Sequence, residues 1–266
     1  MIGFGAPLRA VFLAAVGLFL VLPLIVIGGI SLNAQRAFHF PPRGVSVRWY
    51  GEMLTDAGWL GAMTTSATVA VLAATLACSV ALPVAYAMWR RPTLFVRLLF
   101  GACVLPFIVP PVVVALGNVT WWTQLGFYGQ PIALVASHAM FVVTLPLLTL
   151  TIGLASIDRA LVEAAESLGA HGSGLFRTVT WPLLRPYMIT GFVFALVVSL
   201  NEYIIAYMVA GATVETVPVK VYNALRYGYS PVLAAVAVTF VTISFLCFGL
   251  IGRFGDLRRL MGAWRT

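Results

Sequence analysis

Charged residues are scarce in this chain. They make up only 9% of its 266 residues, whereas 61% are hydrophobic, and an average soluble domain has about 25% charged residues. This composition excludes an ordinary water-soluble domain and predicts an all-α integral membrane protein surrounded by the lipid bilayer. The net charge of +8 does not indicate nucleic-acid binding, because most of the basic residues flank apolar segments.

Reactive groups are also few, which argues against an enzyme. The sole lysine, Lys220, follows Val219 where a phosphate-binding loop has glycine, so the chain has no Walker A sequence. Any ATP must therefore be bound by another chain. The three histidines and three cysteines show neither metal-ligand spacing nor a CxxC pair. We therefore expect no catalytic residues, no metal site and no cofactor on this chain.

Apolar segments long enough to span a membrane recur along the sequence. We predict a single transmembrane domain over 1–266, with six spans at about 8–32, 60–89, 97–118, 131–155, 186–210 and 231–251. The third span contains Pro106, Pro110 and Pro111. Because proline breaks the helical hydrogen-bond ladder, we expect this span to be kinked or discontinuous.

Basic residues are distributed unevenly between the two predicted sides of the membrane. Eleven of the sixteen lie at the N-terminus, in the turn at 90–97, in the loop at 156–186 or in the C-terminal tail. The positive-inside bias therefore predicts that both termini and the 156–186 loop are cytoplasmic. On the opposite side, residues 33–59 include Trp49, Tyr50 and Trp59, which are typical either of headgroup-level anchors or of a surface for an external partner.

The longest cytoplasmic loop has the pattern of a helix, a glycine turn and a second helix. The first helix is amphipathic: Leu161, Ala164, Ala165 and Leu168 share one face, and Arg159, Glu163 and Glu166 share the other. We expect the apolar face to pack on the protein's own spans and the acidic face to be available to a partner. Gly169 would end the helix, and a second helix would cover 174–180, with Pro182 and Pro186 marking entry into span five.

Glu202 is the one carboxylate that falls well inside a predicted span. A charge at that depth is costly when it faces lipid, so such residues usually face the bundle interior or an aqueous path. Our hypothesis is that Glu202, with Asn201 and Ser199, lines the outer part of a route for a cationic solute. The alternatives are that Glu202 lies nearer the interface or is the structural partner of an arginine. His138, alone on an apolar span, is predicted to be a packing residue.

The loop also carries a recognisable motif. Glu163-Ala164-Ala165 is followed by Gly169 and then by Val179 and Pro182, which resembles the EAA signature of permease subunits of type I ATP-binding-cassette importers. Trp181 replaces the leucine usual before the proline. The resemblance implies the type I importer permease fold and a coupling loop at 156–184 that docks on a separate ATPase. The implied coupling residues are Glu163, Ala164, Ala165, Leu168, Gly169, Val179 and Pro182.

A wider resemblance covers nearly the whole chain. The Trp49-Tyr50 loop, the proline-rich span, and residues 199–203 and 216–222 look most similar to the second permease of spermidine/putrescine-type importers. Those permeases tend to have two acidic residues where this chain has Asn201 and Glu202. Related permeases carry opines, aminoethylphosphonate or ferric ion, so these substrates are alternatives.

The resemblance also implies an assembly in a bacterial inner membrane. It would contain a second homologous permease, two ATPase subunits that bind ATP and Mg, and an external substrate-binding protein. A heterodimer of permeases is expected, and a homodimer is the alternative. From another class, a secondary transporter would use Glu202 as an ion relay and the Glu163 loop as a linker, although six spans without visible repeats argue weakly against it.

Overall fold

The computed structural model describes residues 6–227 and 230–254, and nearly all of them are helical. The helices of the first half are α1 (Ala6–Ser31), α2 (Arg48–Thr55), α3 (Ala57–Arg90), α4 (Leu94–Ile108), α5 (Pro111–Leu125), α6 (Pro131–Val142) and α7 (Thr144–Ala155). Those of the second half are α8 (Arg159–Ser167), α9 (Ser173–Leu175), a π-helical turn (Phe176–Thr180), α10 (Trp181–Asn201), α11 (Ile204–Ala210), α12 (Val217–Tyr227) and α13 (Pro231–Phe254).

Within the described ranges, five helical segments are long and apolar enough to cross a membrane: Leu8–Ser31, Ala57–Arg90, Pro131–Ala155, Ser173–Asn201 and Pro231–Gly249. A sixth crossing is formed if the pair α4 and α5 counts as one span. These two helices meet at an angle of 113°, with Pro110 at the N-cap of α5 and Pro111 in its first turn. The predicted discontinuity in span three is therefore confirmed.

The fifth apolar segment differs from its prediction. We expected one span over 186–210, but the helix already begins at Ser173 and ends at Asn201. Glu202 has an extended backbone, with φ −74° and ψ 122°, and α11 then starts a new helix. The prediction of a continuous span was wrong at this point. The helices α2 and α12 lie in segments that were predicted only as connections.

The described residues form two compact units, of which the first contains 6–61, 220–227 and 230–244. Its organising residue is the buried Asn33 in the connection between α1 and α2. The Asn33 Oδ1 accepts hydrogen bonds from the backbone N–H groups of Gln35 (3.2 Å) and Arg43 (3.0 Å), and its Nδ2 donates to the carbonyl of Ala37. Because these bonds fix residues ten positions apart, the connection is a compact loop.

Trp49 is also part of the packing of this first unit. Its side chain is only 2% exposed, and its indole N–H donates to the carbonyl of Asn33 at 2.6 Å. The ring is therefore covered by protein and is not free to insert among lipid headgroups, while the headgroup-level position of the loop stays a prediction. Apolar side chains are nevertheless exposed on the same connection, at Phe38, Phe40, Val45 and Val47.

The second unit contains residues 62–219 and 245–254, and it holds the main hydrophobic core. Large buried side chains come from α6 and α7, including Leu147, Leu150 and Leu154, and from α10 and α11, including Leu184 and Ile205. The contribution of α3 is different, because its buried face is almost entirely small. Its buried residues are Ala62, Ser66, Val69, Ala70, Ala73, Ala74, Ala77, Cys78, Ala81 and Ala85.

The closest helix packing in this unit is between α7 and α10. A Cβ atom on Gly191 would lie 2.6 Å from the Cα of Pro146, which is closer than real Cβ contacts allow. A Cβ on Gly153 would lie 2.6 Å from the ring of Tyr187. Glycine at these two positions lets the backbones approach, as is common where membrane helices pack on each other.

Candidate functional site: the 156–184 loop and the break at Glu202

The loop after α7 begins with a capped helix. The Asp158 side chain accepts a hydrogen bond from the backbone N–H of Ala160 at 2.9 Å, which starts α8 by satisfying one of its free donors. Gly169 follows the helix with φ +89°, and the backbone N–H of Ala170 donates to the carbonyl of Ala165 at 3.0 Å. The predicted helix and its glycine stop are confirmed.

The side of α8 that packs on the protein matches the predicted apolar face only in part. Val162 is only 6% exposed, and Ala165 packs against the main core. Leu168, by contrast, is 89% exposed and Leu161 is about half exposed. The expectation that the apolar stripe packs on the spans is therefore confirmed for Ala165 and was wrong for Leu161, Ala164 and Leu168. The core is reached by Val162 and Ala165, which lie one turn apart, whereas Ala164 and Leu168 point away from it.

The second half of the loop is continuous with the next membrane helix. A helix was predicted over 174–180 before the entry into span five, but α9, the π-helical turn and α10 form one segment from Ser173 to Asn201. Pro182 lies in the first turn of α10, directly after the π-helical turn. Val179 packs against the main core. The loop therefore joins the membrane part of the chain without a hinge at Pro182.

Charged groups gather where α8 meets the end of α3. Arg90 Nη2 lies 2.8 Å from Glu166 Oε1, and these two side chains line a cavity of about 260 Å³ together with Trp89, Arg159, Val162 and Glu163. The carboxylate of Glu166 is therefore engaged within the chain. Glu163, one turn earlier, is exposed. Of the two acidic residues on the predicted face, Glu166 therefore binds Arg90 of the same chain, whereas Glu163 is accessible.

The break at Glu202 forms the second part of the site. The Glu202 carboxylate accepts hydrogen bonds from the backbone N–H of Ile205, at 3.0 and 2.9 Å, and from that of Ala206, at 3.0 Å. The side chain thereby caps the first turn of α11, where the helix dipole favours a negative group. Glu202 is only 8% exposed. The donors to this carboxylate are backbone N–H groups, whereas the alternative left open by the sequence was an arginine.

Two further polar side chains adjoin that carboxylate. His138 Nδ1 lies 2.8 Å from Ser199 Oγ, and His138 Nε2 lies 3.6 Å from Glu202 Oε2. Ser199 and His138 are both buried. The packing role predicted for His138 agrees with its burial, but its position beside Glu202 was not predicted. No local pattern could have shown it, because 61 residues separate His138 from Ser199.

A cavity of about 480 Å³ lies against the break. It is lined by Phe141, Val197, Val198, Asn201, Glu202, Tyr203 and Ile204. Asn201 and Glu202 therefore share one cavity, as the hypothesis of a common solute route requires. Ser199 does not line that cavity and instead bonds to His138. Chemically, one carboxylate and one amide among apolar walls could orient a small solute that carries hydrogen-bond donors.

The sequence of this chain is similar to components of bacterial transport systems. Residues 79–258 match the family described as "Binding-protein-dependent transport system inner membrane component". The chain is 29% identical over 244 residues to the spermidine/putrescine transport system permease protein PotC of Escherichia coli K12, with 90% of each chain covered. It is 28% identical over 261 residues to the putrescine transport system permease protein PotI of the same strain, covering 94% of this chain and 89% of the relative.

A solved structure shares the architecture. It is the crystal structure of a bacterial ABC transporter involved in the import of the acidic polysaccharide alginate. It matches with a TM-score of 0.71 at 18% identity and covers 96% of this chain and 99% of that one. At this identity the likeness concerns the fold alone. The expected type I importer permease architecture is thereby confirmed.

Proposed function

The chain belongs to the family of inner membrane components of binding-protein-dependent transport systems, and we propose that it imports a small organic cation of the polyamine class by coupling to a separate ATPase through α8. It is a multi-pass inner membrane permease subunit and not an enzyme. Its proposed partners are a second homologous permease in a heterodimer, two ATPase subunits that bind ATP and Mg, and an external binding protein.

The observation that carries the coupling proposal is the face that α8 presents to solvent. Glu163, Ala164 and Leu168 are exposed, and Leu168 follows the last residue of the helix, just before Gly169. Leu168 is a large aliphatic side chain that is 89% exposed, and the Glu163 carboxylate lies beside it. Protein contacts usually combine such an apolar centre with polar or charged residues at the edge. Val162 and Ala165 meanwhile hold the helix on the core.

The coupling proposal is tested by the retention of the ATPase during purification. Leu168→Asp should release the ATPase because it places a charge in the centre of the contact, and Glu163→Lys should weaken retention by reversing a charge. Ser173→Asp is the matched control, since it adds a charge to an exposed position of the same loop. Equal retention by Leu168→Asp and the control would contradict the proposal.

The substrate proposal rests on two facts. The two relatives are named for spermidine and putrescine, and the match extends over about nine tenths of this chain. In addition, Asn201 and Glu202 line one cavity at a helix break, where a carboxylate can meet an ammonium group. One acid in place of the usual two favours a ligand with fewer charges to neutralise, such as putrescine.

The substrate is tested on the external binding protein that works with this permease. Thermal shift against putrescine, spermidine, an opine, aminoethylphosphonate and ferric ion should show the largest stabilisation with a polyamine. A larger shift with aminoethylphosphonate, an opine or iron would replace the polyamine by that ligand and leave the importer proposal intact. Family membership favours this importer over the secondary transporter that Glu202 alone would also fit.

A further inference from the structure

We propose that the C-terminal end of α3 is the positioning element of the coupling loop, with Arg90 holding its first helix and Tyr86 its second half. Arg90 and Tyr86 lie one turn apart near the end of α3. One contacts α8 and the other contacts the π-helical turn. The inference rests on the proposed coupling function, and it adds to the EAA segment a part of the chain that lies some 70 residues earlier.

The first contact is ionic. Arg90 Nη2 donates to Glu166 Oε1 at 2.8 Å, a distance typical of a charge-assisted hydrogen bond. The Arg90 guanidinium also lies 5.8 Å from the ring centroid of Trp89, within the range of a cation–π interaction. Since Glu166 is on α8, a shift of α8 along its axis would break this bond unless α3 moved with it.

The second contact is aromatic. The rings of Tyr86 and Phe176 pack edge to face with centroids 5.2 Å apart, a favoured geometry for aromatic pairs. Phe176 in turn packs on Trp181 at 6.0 Å, at the first residue of α10. Contacts between aromatic rings therefore connect Tyr86 near the end of α3, through Phe176 in the π-helical turn, to Trp181 at the start of α10.

The ion pair between Arg90 and Glu166 is partly exposed, which limits its contribution to stability. The side chains of Arg90 and Glu166 are 38% and 33% exposed, and ion pairs in such surroundings contribute little to stability. The pair therefore has little effect on whether the chain folds. Its geometry does fix the position of α8 relative to α3. Arg90 is accordingly a positioning residue, and its loss should affect how ATPase movement reaches α3 more than assembly.

The experiment uses the whole transporter in proteoliposomes with its loaded binding protein. The readout is the number of solute molecules transported per ATP hydrolysed, together with the amount of ATPase retained. Arg90→Ala and Glu166→Ala should each lower this ratio by about fivefold or more, the lower range of typical coupling between sites, while ATPase retention is unchanged. Arg91→Ala, on the exposed neighbouring residue, is the matched control and should leave the ratio as it is.

A charge exchange separates positioning from simple loss of a side chain. Combining Arg90→Glu with Glu166→Arg should restore most of the ratio that either change alone removes. Tyr86→Leu, which keeps an apolar side chain but removes the ring contact, should lower the ratio without the exchange restoring it. Unchanged ratios in the single variants, or loss of the ATPase together with the ratio, would overturn the inference. If the unaltered permease retains no ATPase at all, the proposed coupling function itself fails.

Discussion

His138 and Ser199 bring α6 and the last turn of α10 into direct polar contact. Their Nδ1 and Oγ atoms lie 2.8 Å apart in the buried part of the second unit. The other ring nitrogen of His138 lies 3.6 Å from the carboxylate of Glu202, which caps α11. The orientation of the break between α10 and α11 is therefore set from a third helix, α6.

His138→Phe should destabilise the protein by about 1–3 kcal/mol, because the buried Ser199 hydroxyl would lose its partner. Thermal unfolding in detergent measures the effect. Ser79→Ala is a suitable control, since Ser79 is exposed and its hydroxyl bonds within its own helix; its effect should stay within about 0.5 kcal/mol. Equal melting temperatures for His138→Phe and the wild type would show that the contact between His138 and Ser199 does not contribute to stability.

Glu202→Gln should lower uptake of a polyamine by about tenfold or more, as expected when a charged hydrogen-bond partner worth about 1.5–3 kcal/mol is neutralised. The glutamine carbonyl can still accept from Ile205, so α11 keeps its cap. Initial uptake rates in proteoliposomes measure this, with Glu215→Gln as a control outside the cavity. Unaltered uptake by Glu202→Gln would remove this residue from the solute route and leave it as a helix cap.

Gly169→Ala should cost about 1–2 kcal/mol locally, because only glycine adopts the φ of +89° without a Cβ penalty. The strain should loosen the turn after α8, and limited trypsin cleavage at Arg177 should become faster. Gly174→Ala is the matched control in the same loop, since its φ is not positive and its Cβ would meet open space. Identical cleavage rates in the two variants would contradict the assigned strain.

Gly191→Ala should destabilise the protein by about 1–3 kcal/mol, the usual effect of overpacking. Its Cβ would press on the backbone of Pro146, which cannot move aside as a flexible side chain could. Gly117→Ala on α5 meets nothing within 4 Å and should be neutral or slightly stabilising. Comparing the two melting temperatures checks the prediction, and similar values would show that α7 and α10 can separate slightly at no cost.

Some of this architecture could be predicted from the sequence because strong local signals mark it. Pro110 and Pro111 predicted the break between α4 and α5, and Gly169 predicted the end of α8. The break at Glu202 has no such signal, since residues 199–203 contain neither proline nor glycine. The break depends on the Glu202 side chain, which caps the next helix, α11. This contact can be recognised only from the three-dimensional structure.

The docking face of α8 shows a different limit. Periodicity identified Leu161, Ala164, Ala165 and Leu168 as one apolar stripe, and burial of such a stripe is the usual outcome. Here the core takes Val162 and Ala165, while Glu166 binds Arg90 on α3. The sequence pattern shows that a face is apolar, but it does not show whether the chain's own core or another protein covers it. The site roles of Glu163, Leu168 and Glu202 stay predictions.

The alanine face of α3 gives this helix an unusual mechanical property. Six alanines, each at most 2% exposed, form most of its fully buried face, whereas the bulkier Tyr86 and Trp89 pack near its C-terminal end. Alanine has no rotamers to exchange, so a small slide or rotation of α3 requires none of these side chains to change conformation. Bulky interlocking residues would have to unpack at each step. The alanine stretch of α3 can therefore shift slightly against its neighbours without any change of rotamer, whereas the contacts of Tyr86 and Arg90 hold the C-terminal end of the helix in place.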